Sequence, residues 1–76
     1  MEREDVEKFV KETIESLDNN MENVVDFFEL DSLQKLELIM ECEKEYLISI
    51  EDLEVDDEWS IDQFIDFVYD KTLKKN

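Results

Sequence analysis

Residues 29–46 read ELDSLQKLELIMECEKEY, and the fold turns on this stretch. Behind Asp31-Ser32-Leu33, apolar residues recur at helical spacing with no Gly or Pro to interrupt them. The spacing predicts a helix from about 32 to 47. Asp31 is a good N-cap, and Gln34 three residues on completes a variant capping box. That moves Ser32 from the cap to the first helical position. Its hydroxyl is then not needed by the backbone and should point to solvent.

With each residue advancing 100° and Leu36 set at zero, Ile39, Tyr46, Cys42 and Leu38 lie at roughly 300°, 280°, 240° and 200°. Leu47, Met40 and Leu33 fall on the other side, at roughly 20°, 40° and 60°. The apolar arc is about 220° wide, whereas core packing needs little more than about 100°. A central place in a small bundle would bury all of it. Otherwise Leu33 and Met40 stay at the edge, bordered by Glu37 and Glu41, as an apolar docking surface framed by carboxylates. Cys42 falls in the middle of the core side, the place of a small buried hydrophobe and not of a reactive thiol.

Outward from this helix, Val6, Phe9, Val10, Ile14 and Leu17 mark an amphipathic helix over about 3–17. Residues 18–30, DNNMENVVDFFEL, read as a long ordered connection whose Met21, Val24, Val25 and Phe28 can pack against the core. ISIED (48–52) breaks the pattern, and about 52–57 reads as a short helical turn carrying Leu53 and Val55. A last helix begins at Ser60. There Ser60 and Gln63 form a capping box, and Trp59 and Phe64 are placed as a hydrophobic staple. Ile61, Phe64, Ile65, Val68 and Tyr69 form its apolar stripe, while Lys71, Lys74 and Lys75 suit its C-terminal dipole. The expected fold is all-α: three main helices and a short one, with a long first connection, in a single domain over 1–76.

Composition supports this. The 76 residues contain no Gly and no Pro, so the tight hairpins of a β-rich fold lack their turn residues. Hydrophobics at 42% suffice for a small core, near the lower size limit of a self-sufficient domain. Twenty-four acidic residues against eight basic give a net charge of −16, which repels nucleic-acid phosphates and anionic membranes and suits basic protein partners. One Cys and no His exclude an internal disulfide and a Cys- or His-based zinc site. The charged N-terminus and the absence of a membrane-length apolar run lead to the expectation of a cytoplasmic monomer.

Read in order, Asp-Ser-Leu, the acidic-apolar helix behind it, Ile48-Ser49-Ile50, an acidic turn and a final amphipathic helix over 31–68 resemble the acyl carrier protein family. The resemblance implies a four-helix bundle of acyl-carrier type that is itself no enzyme. It further implies that Ser32 bears a phosphopantetheine arm, attached from coenzyme A by a phosphopantetheinyl transferase. Asp31 and Leu33 would flank the attachment site. Glu37, Met40 and Glu41, with Asp52 and Asp56 on the short turn, would meet the basic docking patches of acyl-loading and acyl-processing enzymes of fatty-acid or related biosynthesis. The chain departs from the family pattern at Glu29, where Gly is usual, at Gln34 and Lys35, in lacking Pro after the Ile-x-Ile, and at Trp59. These departures leave room for a dedicated pathway, including aminoacyl or D-alanyl carriers. The aromatic residues Phe9, Phe27, Phe28, Tyr46, Phe64, Phe67 and Tyr69 would fill the core and favour a short or polar cargo.

Two other readings compete. Asp18, Asn20, Glu22, Asp26 and Glu29 fall at positions 1, 3, 5, 9 and 12 of an EF-hand calcium loop, with Val25 at the apolar eighth. Asn23 stands where that loop turns sharply on Gly, and no second loop pairs with it. Alternatively the chain is an unmodified helical interaction module, in which Ser32 only starts a helix.

Overall fold

Val6, Val10 and Ile14 recur every fourth residue, and all three are buried along one face of helix α1, Arg3–Leu17. The computed structural model describes residues 2–17 and 29–74. Two further helices follow α1: α2, Ser32–Tyr46, and α3, Ile61–Leu73. Among the described residues the fold is all-helical, with no strand. Nor is any of these helices long and apolar enough to cross a membrane. Of the sequence expectations, those on Met21, Val24, Val25, Phe27, Phe28 and Lys75, and on the loop positions Asp18, Asn20, Glu22, Asn23 and Asp26, lie outside the described residues.

α1 packs against both of the other helices. It therefore occupies the central place that the breadth of the α2 arc would have suggested for α2. The core closes around it: Leu38, Ile39 and Cys42 from α2, Ile61, Phe64, Ile65 and Val68 from α3, and Leu30 and Ile50 from the connections. Phe9 meets Tyr46 edge-on, with ring centroids 5.5 Å apart, and welds the α1–α2 seam. At the α1–α3 seam, Arg3 joins Asp62 and Asp66 across the helices as well as Glu7 on its own. Those acids, with Asp66 foremost, hold the guanidinium even more firmly protonated than usual.

Both later helices start as the sequence predicts. Gln34 N donates to Asp31 Oδ1 (2.8 Å) and Asp31 N to Gln34 Oε1 (3.0 Å), while Ser60 and Gln63 make the same reciprocal pair. Trp59 lies tilted against Phe67, with centroids 5.3 Å apart, while Phe64 is drawn fully into the core.

α2 ends without the glycine that usually takes the left-handed position after a helix. Leu47 adopts it instead, at φ 54° and ψ 45°, and its N–H bonds to the Glu43 carbonyl. The Glu43 carboxylate then accepts the N–H of Ile50 (3.0 Å), which directs that side chain into the core. The short helix expected over about 52–57 is only a 3-10 turn, Asp52–Glu54. Helical spacing there would stack like charges at Glu54, Asp57 and Glu58 and at Asp52 and Asp56. The Asp56 side chain also accepts from the N–H of Glu58 (2.8 Å), a local bond that competes with helix continuation. The Glu54–Lys71 ion pair fastens the turn to α3 and holds the Glu54 carboxyl below the usual range.

Candidate functional site

The start of α2 shows what its cap leaves over. With Asp31 and Gln34 bonded reciprocally, the Asp31 carbonyl takes the N–H of Lys35 (2.9 Å) as the first helical bond. Ser32 is the first residue of the helix, and it is exposed. Among the described residues its hydroxyl has no hydrogen-bond partner. The early N–H groups of a helix and its positive dipole end favour an anion at this position. A phosphoryl ester on Ser32 therefore displaces no hydroxyl bond among the described residues and meets a favourable field. The chemical limit is equally plain: the sequence holds no His, and the nearest base in sequence is the Asp31 carboxylate already engaged in the cap. With no His in the sequence, Ser32 has no imidazole to activate its hydroxyl as a nucleophile.

Downstream, the apolar arc of α2 divides. Leu38, Ile39 and Cys42 are buried, while Leu33, Leu36 and Met40 are 64%, 47% and 49% exposed. The uncovered half includes Leu36, which the sequence reading set in the middle of the arc. Leu47 just beyond the helix is exposed as well. The covered side shares its core with Val6, Val10 and Ile14 of α1. α1 packs on α2, and the 47–50 segment turns back through the Glu43–Ile50 bond to add Ile50 to the core.

Glu37, Met40 and Glu41 line one groove of about 550 Å3 between α1 and α2. Its far wall was not foreseen. It consists of Phe9, Glu12, Thr13, Ser16 and Leu17, a stripe running along α1 beside the core stripe. Phe9 and Leu17 had been read as core, yet both are only partly buried, and this is how they reach the groove. Thr13 turns its hydroxyl onto the Phe9 carbonyl (2.8 Å), so the wall carries few free donors beside the carboxylates of Glu12, Glu37 and Glu41. Glu41 also pairs loosely with Lys44 (3.5 Å) on the surface. The groove thus has an apolar floor and an acidic rim.

Asp52 and Asp56 stand apart, in and just beyond the 3-10 turn; Asp56 is exposed and partly engaged with the backbone of Glu58. The segment holding Asp56 is tied to the start of α2 by Lys35, whose ammonium lies 3.3 Å from Asp57 Oδ1. No group of three or more His, Cys, Asp or Glu among the described residues is arranged to hold a metal ion. Of the calcium-loop ligands only Glu29 lies within those residues, and it is exposed. Comparison with family models, curated proteins and solved structures finds no significant match to this chain.

Proposed function

We propose that this chain is a carrier protein of acyl-carrier type, loaded at Ser32 with phosphopantetheine. One observation carries the reading: the cap of α2 is complete without Ser32, so the serine of Asp-Ser-Leu is exposed at a helix N-terminus, with no hydroxyl partner among the described residues. The order of helices, with its long first connection and short turn before the last helix, supports it. When attached, the arm supplies a thiol that holds an acyl group as a thioester. The protein's own residues do the rest. Asp31 and Gln34 hold the helix start rigid, so the ester oxygen sits at a fixed place. Leu33, Leu36 and Met40 offer apolar contact to a partner, and Glu37 and Glu41 draw a basic docking patch to it. Contacts of this kind are fast to form, salt-sensitive and readily released, as a shuttle requires.

Intact mass after incubation with a phosphopantetheinyl transferase and coenzyme A tests the assignment. The expected gain is one phosphopantetheine, absent in Ser32→Ala; no gain with several transferases would return Ser32 to a helix-start role. Charge reversal tests the docking face. Glu37→Lys and Glu41→Lys should each slow loading severalfold, as should added salt, without unfolding the protein, because both residues are exposed. Unchanged loading rates would remove this face from the account.

A further inference from the structure

The groove between α1 and α2 has two unlike walls. On α1, Phe9, Thr13 and Leu17 follow one another at four-residue steps, so that wall extends about 12 Å, a little over two turns. On α2, Glu37 and Glu41 stand one turn apart, about 6 Å along the axis, with Met40 beside them. The apolar groups are Phe9 and Leu17, both half-buried, and the half-exposed Met40. Three exposed carboxylates border them, Glu12 from α1 and Glu37 and Glu41 from α2. No Lys or Arg is among the lining residues. Among the described residues Glu12 and Glu37 have no ion-pair partner, and Glu41 has only Lys44, at 3.5 Å.

This combination selects the occupant. A second copy of the chain brings another −16 of charge and is repelled. A bare aliphatic chain covers Phe9, Leu17 and Met40 but takes water from carboxylates that it cannot pair. A polyamine answers the carboxylates and leaves the apolar surface wet. A helix with an apolar stripe flanked by Lys or Arg answers both, and cations four residues apart on it match the step from Glu37 to Glu41.

We propose that this groove is a docking site for a basic amphipathic helix of a partner protein. Apolar side chains of the partner seat between Phe9, Leu17 and Met40. Its lysines or arginines meet Glu12 on one side and Glu37 and Glu41 on the other. Half of the interface therefore belongs to α1, and the partner reads how α1 lies against α2, not one helix alone. The flexible Met40 lets the floor adapt to the side chain it receives, while the acidic border speeds encounter and fixes the sign of the partner. The groove is present with Ser32 unmodified, so the proposal goes beyond the carrier reading and does not depend on it.

The test uses the full, unloaded chain, isotopically labelled, titrated at low salt and followed by backbone amide NMR. The probe is a synthetic alanine-based helical peptide with two leucines four residues apart and lysines flanking them. Saturable shifts are expected over residues 9–17 and 37–41, well beyond those in α3. Glu12→Lys should weaken binding about threefold to fivefold, the effect of losing one exposed pair. Glu58→Lys makes the same charge change outside the groove and should weaken it much less. Met40→Ala should weaken the leucine peptide but not its leucine-free counterpart. Shifts confined to α2, with binding indifferent to Glu12→Lys, would overturn the proposal. So would equal binding of the leucine-free peptide, or of spermidine, at the same residues, because recognition would then be by charge alone. Groove shifts on concentrating the protein without peptide would give the groove to a second copy, and no saturable shift would leave no docking site. Mass gain at Ser32 is scored separately, so this inference and the carrier reading fail independently.

Discussion

Cys42 is fully buried on the core side of α2, and burial, reinforced by Glu41, Glu43 and Glu45, pushes its thiol up to about 12. A native thiol count with a disulfide reagent near pH 8 should therefore find none in the unloaded protein, and one in unfolding concentrations of denaturant. The loaded protein should show one and two, the additional thiol belonging to the arm. A reactive thiol in the native unloaded protein would place Cys42 outside the core. The same burial sets an alkaline limit. The unfolded chain releases this proton near its ordinary value of 9.0, the folded one near 12. Between those values the unfolded state binds fewer protons, so stability falls as pH rises, by up to about 1.4 kcal/mol per pH unit. Cys42→Ala should flatten the decline between about pH 9 and 10 in urea melts, below the range where Tyr46, also raised to about 12, begins to contribute. An equally steep decline in the variant would assign it to other groups. The place of Cys42 was legible because helical period alone determines it. The Lys35–Asp57 pair was not, because it joins residues brought together by the path of a loop, which no local spacing encodes.

Among the elements, helix starts were legible from side-chain chemistry, whereas helix ends were legible only from where the apolar period stops, at Leu17 and within a residue of Leu47. Asp31 with Gln34 and Ser60 with Gln63 announce their helices through side-chain chemistry that needs no tertiary partner, and both capping boxes form. The end of α2 carries no such signal, because a chain without glycine must put another residue in the left-handed position. Leu47 takes it, with its side chain exposed. That backbone costs a side-chain-bearing residue about 1–2 kcal/mol, against roughly 0.5–1 kcal/mol for the extra freedom glycine loses on folding. Leu47→Gly should therefore stabilise the protein by about 0.5–1 kcal/mol, or raise Tm by about 2–8 °C. A lower Tm would mean that the exposed Leu47 side chain contributes packing worth more than the strain. The groove was half legible for a related reason. Periodicity on α2 marks Glu37, Met40 and Glu41, but the opposite wall depends on how α1 is rotated against α2. Glu12, Thr13 and Ser16 are polar residues on a helix flank, and nothing in their spacing distinguishes a groove wall from open surface. The short 3-10 turn likewise departs from the longer turn expected, because acidic residues crowded at helical spacing repel.

At the scale of the whole molecule, a few cations are set against a large excess of acid. Arg3 fastens α1 to α3, Lys35 fastens the 56–58 segment to α2, and Lys71 fastens the 3-10 turn to α3. Lys11, Lys44 and Lys74 pair within their own helices, where they join nothing distant. Salt acts on this arrangement in two opposed ways. It screens the clips, which as exposed pairs are worth only about 0–1 kcal/mol each. It also screens the mutual repulsion of 24 acidic residues opposed by only eight basic ones. The repulsion is summed over many pairs across a small body, so it should govern. Raising monovalent salt from 0.01 M to 1 M shortens the screening length from about 30 Å to about 3 Å. Tm should rise across that range, by an amount corresponding to about 1 kcal/mol or more. Calcium at matched ionic strength should add only its share of general screening; a saturable, micromolar calcium effect would instead favour the loop over 18–29. Docking should respond with the opposite sign, because the same screening weakens attraction to a basic partner. One salt titration followed by both melting and loading rate therefore separates the two roles of the acidic surface. Higher Tm with slower loading is the expected pair. A Tm that falls with salt would mean that the three interhelical and loop clips, not the net charge, control the stability of the bundle.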